Sequence, residues 1–134
     1  MKVLAVDYGR RRIGLALGDT NLKIAVPLGS IENRNQRVFE EISQRIKELG
    51  ISVVLLGLPL TPSGREGERA KEVKDFLEAL KSHIPEGVEI ILWDERYTTK
   101  EAYSMMEGLK WKKKKELKDS ISAYAILLEY LESL

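Results

Sequence analysis

The sequence predicts an α/β fold: a mixed five-stranded sheet, three antiparallel strands plus two parallel ones, flanked by helices. Two observations carry this. Three strand-like runs follow one another through Ile31 with only short links between them, the pattern of antiparallel hairpins. Two later apolar runs, Ser52–Gly57 and Val88–Trp93, are each preceded by an amphipathic helical segment, which joins parallel strands.

Taken in order, Val3–Asp7 is an apolar run ending in an acid. Ile13–Leu17 follows a short Gly/Arg turn, and Ile24–Ile31 comes after Asp19-Thr20-Asn21. Asn33 or Asn35 then caps a helix to about Leu49, with Val38, Ile42, Ile46 and Leu49 at helical spacing and Gly50 as its stop. Ser52–Gly57, rich in β-branched residues, reads as a central buried strand. Leu58–Gly64 is a loop. Glu66 to about Ser82 is a second helix with Val73, Phe76, Leu77 and Leu80 as its inner stripe. Pro85-Glu86-Gly87 breaks the chain before Val88–Trp93, and Thr98–Glu101 has the spacing of a capping box that opens a third helix. A last helix runs from about Leu117 to Leu131, with Ile121, Tyr124, Ala125, Leu128 and Leu131 facing inward.

The 134 residues carry no repeat or linker, so a single domain over 1–134 is expected, long enough to bury a core. No stretch approaches the ~20 apolar residues of a membrane span, and the N-terminus opens directly on a strand rather than a signal peptide. A cytoplasmic protein is the expectation. The absence of cysteine excludes disulfides, thiolate nucleophiles and thiolate-held metals. A net charge of +1 argues against a uniformly basic coat, but the cations are segregated into Arg10–Arg12 and the Lys110–Lys118 stretch, and placement matters more than the total for a polyanionic partner.

Four acids stand out by position. Asp7 ends the first strand, Asp94 and Glu95 end the last, and Asp119 falls in the first turn of the final helix. In open α/β sheets, ligands collect beyond the carboxyl ends of the strands. A carboxylate ending a buried strand is expensive without a compensating cation. Clustered carboxylates call for hard cations, and Mg²⁺ or Mn²⁺, in a pair about 4 Å apart, can activate water and stabilise the leaving oxygen in phosphodiester cleavage. Only one of Asp94 and Glu95 should point into such a site, because a strand alternates its faces; the longer Glu95 reaches further. Asp119 also fits an ordinary helix start, where any acid is favoured by the dipole. His83, the single histidine, sits at a helix end away from these motifs and reads as a surface residue.

Arg10, Arg11 and Arg12 follow Asp7 closely, and the arginine fork suits phosphate. Arg12, beside the apolar strand, has the best-defined expected role. Gly57-Leu58-Pro59 lets backbone approach a ligand. Arg96 fits either a phosphate or a neighbouring carboxylate. Lys110, Trp111, Lys112, Lys113, Lys114 and Lys115 combine phosphate neutralisation with an aromatic that can stack on a base.

Asp7–Ala16, Gly57-Leu58-Pro59, Asp94–Thr99 and Asp119-Ser120 before an apolar helix together resemble the YqgF family, also called RuvX, in order and spacing over the whole chain. The resemblance implies a ribonuclease H-like fold. It also implies a metal-dependent nuclease of the bacterial cytoplasm that matures the 5′ end of pre-16S ribosomal RNA. The family's acids map onto Asp7, Glu95 with Asp94 beside it, and Asp119. Precursor rRNA is the favoured partner and branched DNA, as for a Holliday junction resolvase, the alternative. A non-catalytic nucleic-acid-binding module is a distant third, since clustered acids would only weaken phosphate binding. An actin-like kinase or ATPase would need two such domains, and this chain has room for one. No membrane partner is expected, and the assembly is a monomer or weak homodimer.

Overall fold

The computed structural model describes residues 1–95 and 120–134. Its strands are β1 (Lys2–Asp7), β2 (Arg12–Asp19), β3 (Ile24–Glu32), β4 (Ile51–Leu58) and β5 (Glu89–Asp94). Its helices are α1 (Arg37–Leu49), α2 (Glu68–Lys81) and α3 (Ile121–Ser133). The helix expected from Thr98 lies outside the described residues. The strands form one sheet in the order β3-β2-β1-β4-β5. The β1–β2 and β2–β3 pairs are antiparallel, and β1–β4 and β4–β5 are parallel. This is the expected mixed sheet.

Two apolar layers sandwich the sheet, which is why its central strands read as unbroken apolar runs. On one face Leu4, Val6, Ile13, Leu15, Val54 and Leu56 pack against Val38, Ile42 and Ile46 of α1 and Val73, Phe76 and Leu80 of α2. On the other, Val3, Ala5, Ala16, Val53 and Leu55 pack against Ala123, Ile126, Leu127 and Tyr130 of α3. Ala5, Ala16 and Gly18 keep part of the surface under α3 low, so the helix sits close there: a Cβ at Gly18 would lie 2.9 Å from Leu127 Cδ1. The inward face of α3 is the expected one in part. Ile121, Ala125 and Leu131 are buried as expected, Ala123, Ile126, Leu127 and Tyr130 are buried with them, and Tyr124 and Leu128 are half-buried. The helix is apolar around most of its circumference, so period alone fixes its rotation poorly.

Neither asparagine offered as a cap occupies the N-cap of α1, which is Gln36 with no side-chain cap bond; Asn35 stands one residue before it. Asn35 Oδ1 accepts from the Arg37 amide at 3.0 Å. Asn33 instead donates from Nδ2 to the Gly9 carbonyl at 2.9 Å, and its own amide donates to the Arg11 carbonyl at 2.9 Å. Gly50 stops α1 in the left-handed region, φ 66°, donating back to the Ile46 and Lys47 carbonyls. β3 lies at an edge, where Pro27 is tolerated, and Gly29 at φ 80° accompanies a register shift opposite Leu15/Ala16. No described helix is long and apolar enough to cross a membrane.

Candidate active site

Side-chain alternation decides which acids can meet. On β1, Asp7 follows Val3 and Ala5 on the α3 face. On β4, Gly57 follows Val53 and Leu55 on that face. Beyond β5, Glu95 follows Ile91 and Trp93, which also pack on the α3 layer. The register pairs Val6 with Leu56 and Leu58 with Asp94, so Asp7, Gly57 and Glu95 lie at one edge of the sheet. One strand, β4, separates the carriers of the acids, and Gly57 sits on it.

The glycine is what lets the acids meet. A Cβ at Gly57 would fall within 3.0 Å of Glu95 Oε2 and 3.3 Å from Ile126 Cδ1. With no side chain there, the Glu95 carboxyl lies over the β4 backbone with Oε2 buried and hydrogen-bonds Asp7. The Glu95 amide donates to the Leu58 carbonyl at 3.3 Å, which fixes the start of that reach.

Ionised carboxylates only accept, so a hydrogen bond between two of them holds a proton. Glu95 holds it. Burial is the first cause and the Asp7 charge the second; together with donation to Asp7 they push Glu95 from its ordinary 4.5 up to about 8. Asp7 is also raised, by burial, though the bond from Glu95 and the field of Arg69 pull it back. Like charges brought together in a poorly solvated place cannot both ionise cheaply.

Asp94 faces the other way. Its side chain is exposed, and it reaches Glu95 only through its field. Among the described residues no third carboxylate or histidine joins the pair in a metal-sized group. Asp119, Arg96, Lys110, Trp111, Lys112, Lys113, Lys114 and Lys115 lie outside the described residues. Ser120, the residue before α3, is fully buried.

The turn after β1 carries the arginines. A Cβ at Gly9 would fall well within 3.0 Å of the Arg12 carbonyl oxygen, so the turn is as tight as glycine allows. Arg10 reaches α2 and forks onto Glu72, with Nε 3.0 and 3.1 Å from its two carboxylate oxygens. Arg12 is exposed at the start of β2. His83 stacks on Phe39, ring centroids 5.2 Å apart, at the C-terminal end of α2 and away from the acids.

Three contributors were not singled out from sequence: Gly57 as the space for Glu95, Glu72 as the partner of Arg10, and Arg69 as the cation acting on both acids. The signal for Arg69 is its place in the first turn of α2. That helix begins after the loop leaving the C-terminal end of β4, at the edge where Asp7 ends β1.

This order of strands, with acids gathered at the C-terminal ends of β1 and β5, defines a ribonuclease H-like domain. The solved structure of Thermus thermophilus RuvC has the same fold, with TM-score 0.67 and 17% identity, covering 99% of this chain and 95% of that one. The fowlpox virus resolvase in complex with Holliday junction DNA gives TM-score 0.64 at 14% identity, covering 99% and 98%. The family model described as "RuvX: Holliday junction resolvase" matches residues 1–133. The chain belongs to the RuvX (YqgF) family. A relative from Sulfurihydrogenibium sp. described as "Putative pre-16S rRNA nuclease" is 46% identical, over 99% of this chain and 91% of the relative. One from Caldicellulosiruptor bescii with the same description is 35% identical, over 98% and 96%.

Proposed function

We propose that this protein is a metal-dependent nuclease that hydrolyses phosphodiester bonds in structured nucleic acid, acting on the 5′ end of pre-16S rRNA. The observation that carries the proposal is the Asp7–Glu95 pair, two carboxyls meeting over Gly57 at the edge of a ribonuclease H-like sheet.

The pair suits a hard divalent cation on its own chemistry. Its donors are all oxygen, they converge where a side chain on Gly57 would otherwise stand, and burial leaves them costly to ionise without a positive charge. Asp7 and Glu95 would hold Mg²⁺ or Mn²⁺, in a pair of ions as the family resemblance implies, with Asp119 as the remaining expected ligand; Asp94, expected beside them from sequence, faces away from the pair. Bound there, the ions would supply an activated water and a counter-charge for the leaving oxygen. The chain's own residues do the rest. Gly57 clears the seat for Glu95, Asp7 keeps its negative charge while Glu95 releases the shared proton to solvent and becomes the second carboxylate, and Arg12 faces the phosphate.

The test is Asp7→Asn, expected to abolish Mg²⁺- or Mn²⁺-dependent cleavage of a precursor rRNA fragment with the fold intact; full activity in nuclease-free protein overturns the reading. The family description favours a second substrate, four-way DNA junctions. Cleavage of the two substrates under matched metal and salt separates them, and a junction preferred over the precursor rRNA would replace the RNA assignment.

A further inference from the structure

The acids occupy only half of the sheet edge. Over the other half, above the ends of β1, β2 and β3, lies an open groove of about 730 Å³ lined by Gly9, Arg10, Arg11, Arg12, Glu32, Asn33 and Arg34. We propose that Arg11 and Arg34, held in place by Asn33, form a second phosphate seat that binds the substrate strand's backbone beyond the cleaved bond. This inference rests on the nuclease reading above and adds the path the strand takes across the protein.

Three features raise the groove above a chance concentration of charge. First, its walls are tied together. Asn33 donates from its side chain to the Gly9 carbonyl at 2.9 Å and from its amide to the Arg11 carbonyl at 2.9 Å. The turn bearing Arg11 is thereby stapled to the segment bearing Arg34, so the two guanidinium groups are presented from a fixed frame. A pre-set frame loses less entropy on binding than two free side chains.

Second, the charges are available to an incoming anion. Arg11 is exposed and enters no ion pair among the described residues. Arg34 leans on Glu32 at 3.1 Å, but both side chains are mostly exposed, 77% and 65%. An ion pair so well solvated is weak and exchanges readily for a phosphate. Arg10, by contrast, is committed to Glu72 and holds the turn against α2.

Third, the placement fits a strand leaving the acids. Arg12 pairs with Glu32 across β2 and β3, and Asp7 with Gly14 across β1 and β2, so groove and acids share one edge. Neighbouring strands lie about 4.8 Å apart, which puts β3 about 10 Å from β1. The seat therefore takes phosphates a few nucleotides from the cut at most. The ligand class is a phosphodiester backbone read by charge, since arginines dominate the lining and the Asn33 side-chain amide is already engaged with the Gly9 carbonyl.

The experiment measures binding of a precursor rRNA fragment in EDTA, without cleavage, over a range of salt, for the wild type, for R11A/R34A and for K47A/K81A. The last pair removes the same charge from the final turns of α1 and α2. R11A/R34A is expected to flatten the plot of log binding constant against log salt by about 1.4, two single-strand phosphate contacts, while K47A/K81A leaves the slope unchanged. With metal present, the R11A/R34A loss should fall on KM rather than kcat. Shortening the RNA stepwise from each end should erase the difference between wild type and R11A/R34A at one end only, within a few nucleotides of the cut. An unchanged slope in R11A/R34A, or an equal fall in K47A/K81A, overturns the seat while leaving the nuclease reading intact. A wild type that binds no RNA at low salt overturns both.

Discussion

Replacing Glu95 with Gln tests the shared proton directly. Gln keeps the shape of a protonated Glu and can still donate to Asp7, but it cannot ionise. In the metal-free wild type Glu95 is raised from 4.5 to about 8 by burial and by the Asp7 charge. The folded state therefore holds a proton that the unfolded chain releases once pH exceeds 4.5. The unfolded state binds fewer protons throughout that interval, so stability is full below about pH 4.5 and falls as pH rises towards 8. Each pH unit inside the interval removes about 1.4 kcal/mol, which gives a ceiling of about 5 kcal/mol, and local relaxation should leave roughly 2–5 kcal/mol. Glu95→Gln should match the wild type near pH 4.5 and exceed it by that margin near pH 8. The assay is urea unfolding in EDTA from pH 4.5 to pH 9. Parallel stability–pH curves for the two proteins would refute the shared proton. Cleavage should nonetheless be lost in Glu95→Gln at every pH, so a more stable protein would be the less active one.

Gly57→Ala should leave the fold largely intact, because the atom it meets first is the far end of a flexible side chain, while moving the Glu95 carboxyl; a displacement of about 1 Å can lower kcat on the order of 100-fold, and wild-type turnover would contradict the cradle. Trp93→Phe removes the 3.0 Å bond from Trp93 Nε1 to Glu129 that ties β5 to α3, and urea unfolding should show a loss of about 1–2 kcal/mol. Asn33→Ala breaks the staple to Gly9 and should lower stability by about 1 kcal/mol, with faster amide exchange across residues 9–12 as the direct readout. His83→Gln should leave metal-dependent cleavage unchanged; a large fall in kcat would assign the imidazole a role that its stacking on Phe39 does not supply.

Much of the architecture was legible because the elements obey simple periodicities. The continuous apolar runs of β1 and β4 announced strands buried on both faces, and the hairpin spacing announced β2 and β3. The rotation of α3 was legible only in part, since apolar residues cover most of its circumference and leave a narrow polar strip to set its angle. At the site, position along the strands singled out Asp7 and the Asp94–Glu95 doublet, and period-two alternation explains why Glu95 comes to Asp7 while Asp94 faces solvent. Gly57 was visible only as a place where backbone could approach a ligand. Its use as a seat for a side chain two strands from Asp7 depends on register between parallel strands, which crossover connections do not reveal. The Arg10–Glu72 fork was equally hidden, because 62 residues separate its partners.

That fork bears on why the acids stay poorly compensated. Arg10 is close enough in sequence to Asp7 to have neutralised it, as the short turn would allow. Its guanidinium is instead drawn away to Glu72 on α2, and Arg69 acts on the acids only through its field. A guanidinium seated on Asp7 would lower its pKa and stabilise the empty protein, but a metal ion would then have to displace it. Leaving the charge to a proton keeps the site closed when empty and yields it to a stronger cation, since a proton held near pH 8 leaves readily at neutral pH once a divalent ion offsets the desolvation. Breaking the fork tests this division. Glu72→Ala frees Arg10, and if the freed cation turns back towards Asp7, the apparent affinity for Mn²⁺ should fall while Arg10→Ala/Glu72→Ala restores it. Equal Mn²⁺ affinity in Glu72→Ala and the wild type would show that the fork orders the turn and does nothing to keep the acids open.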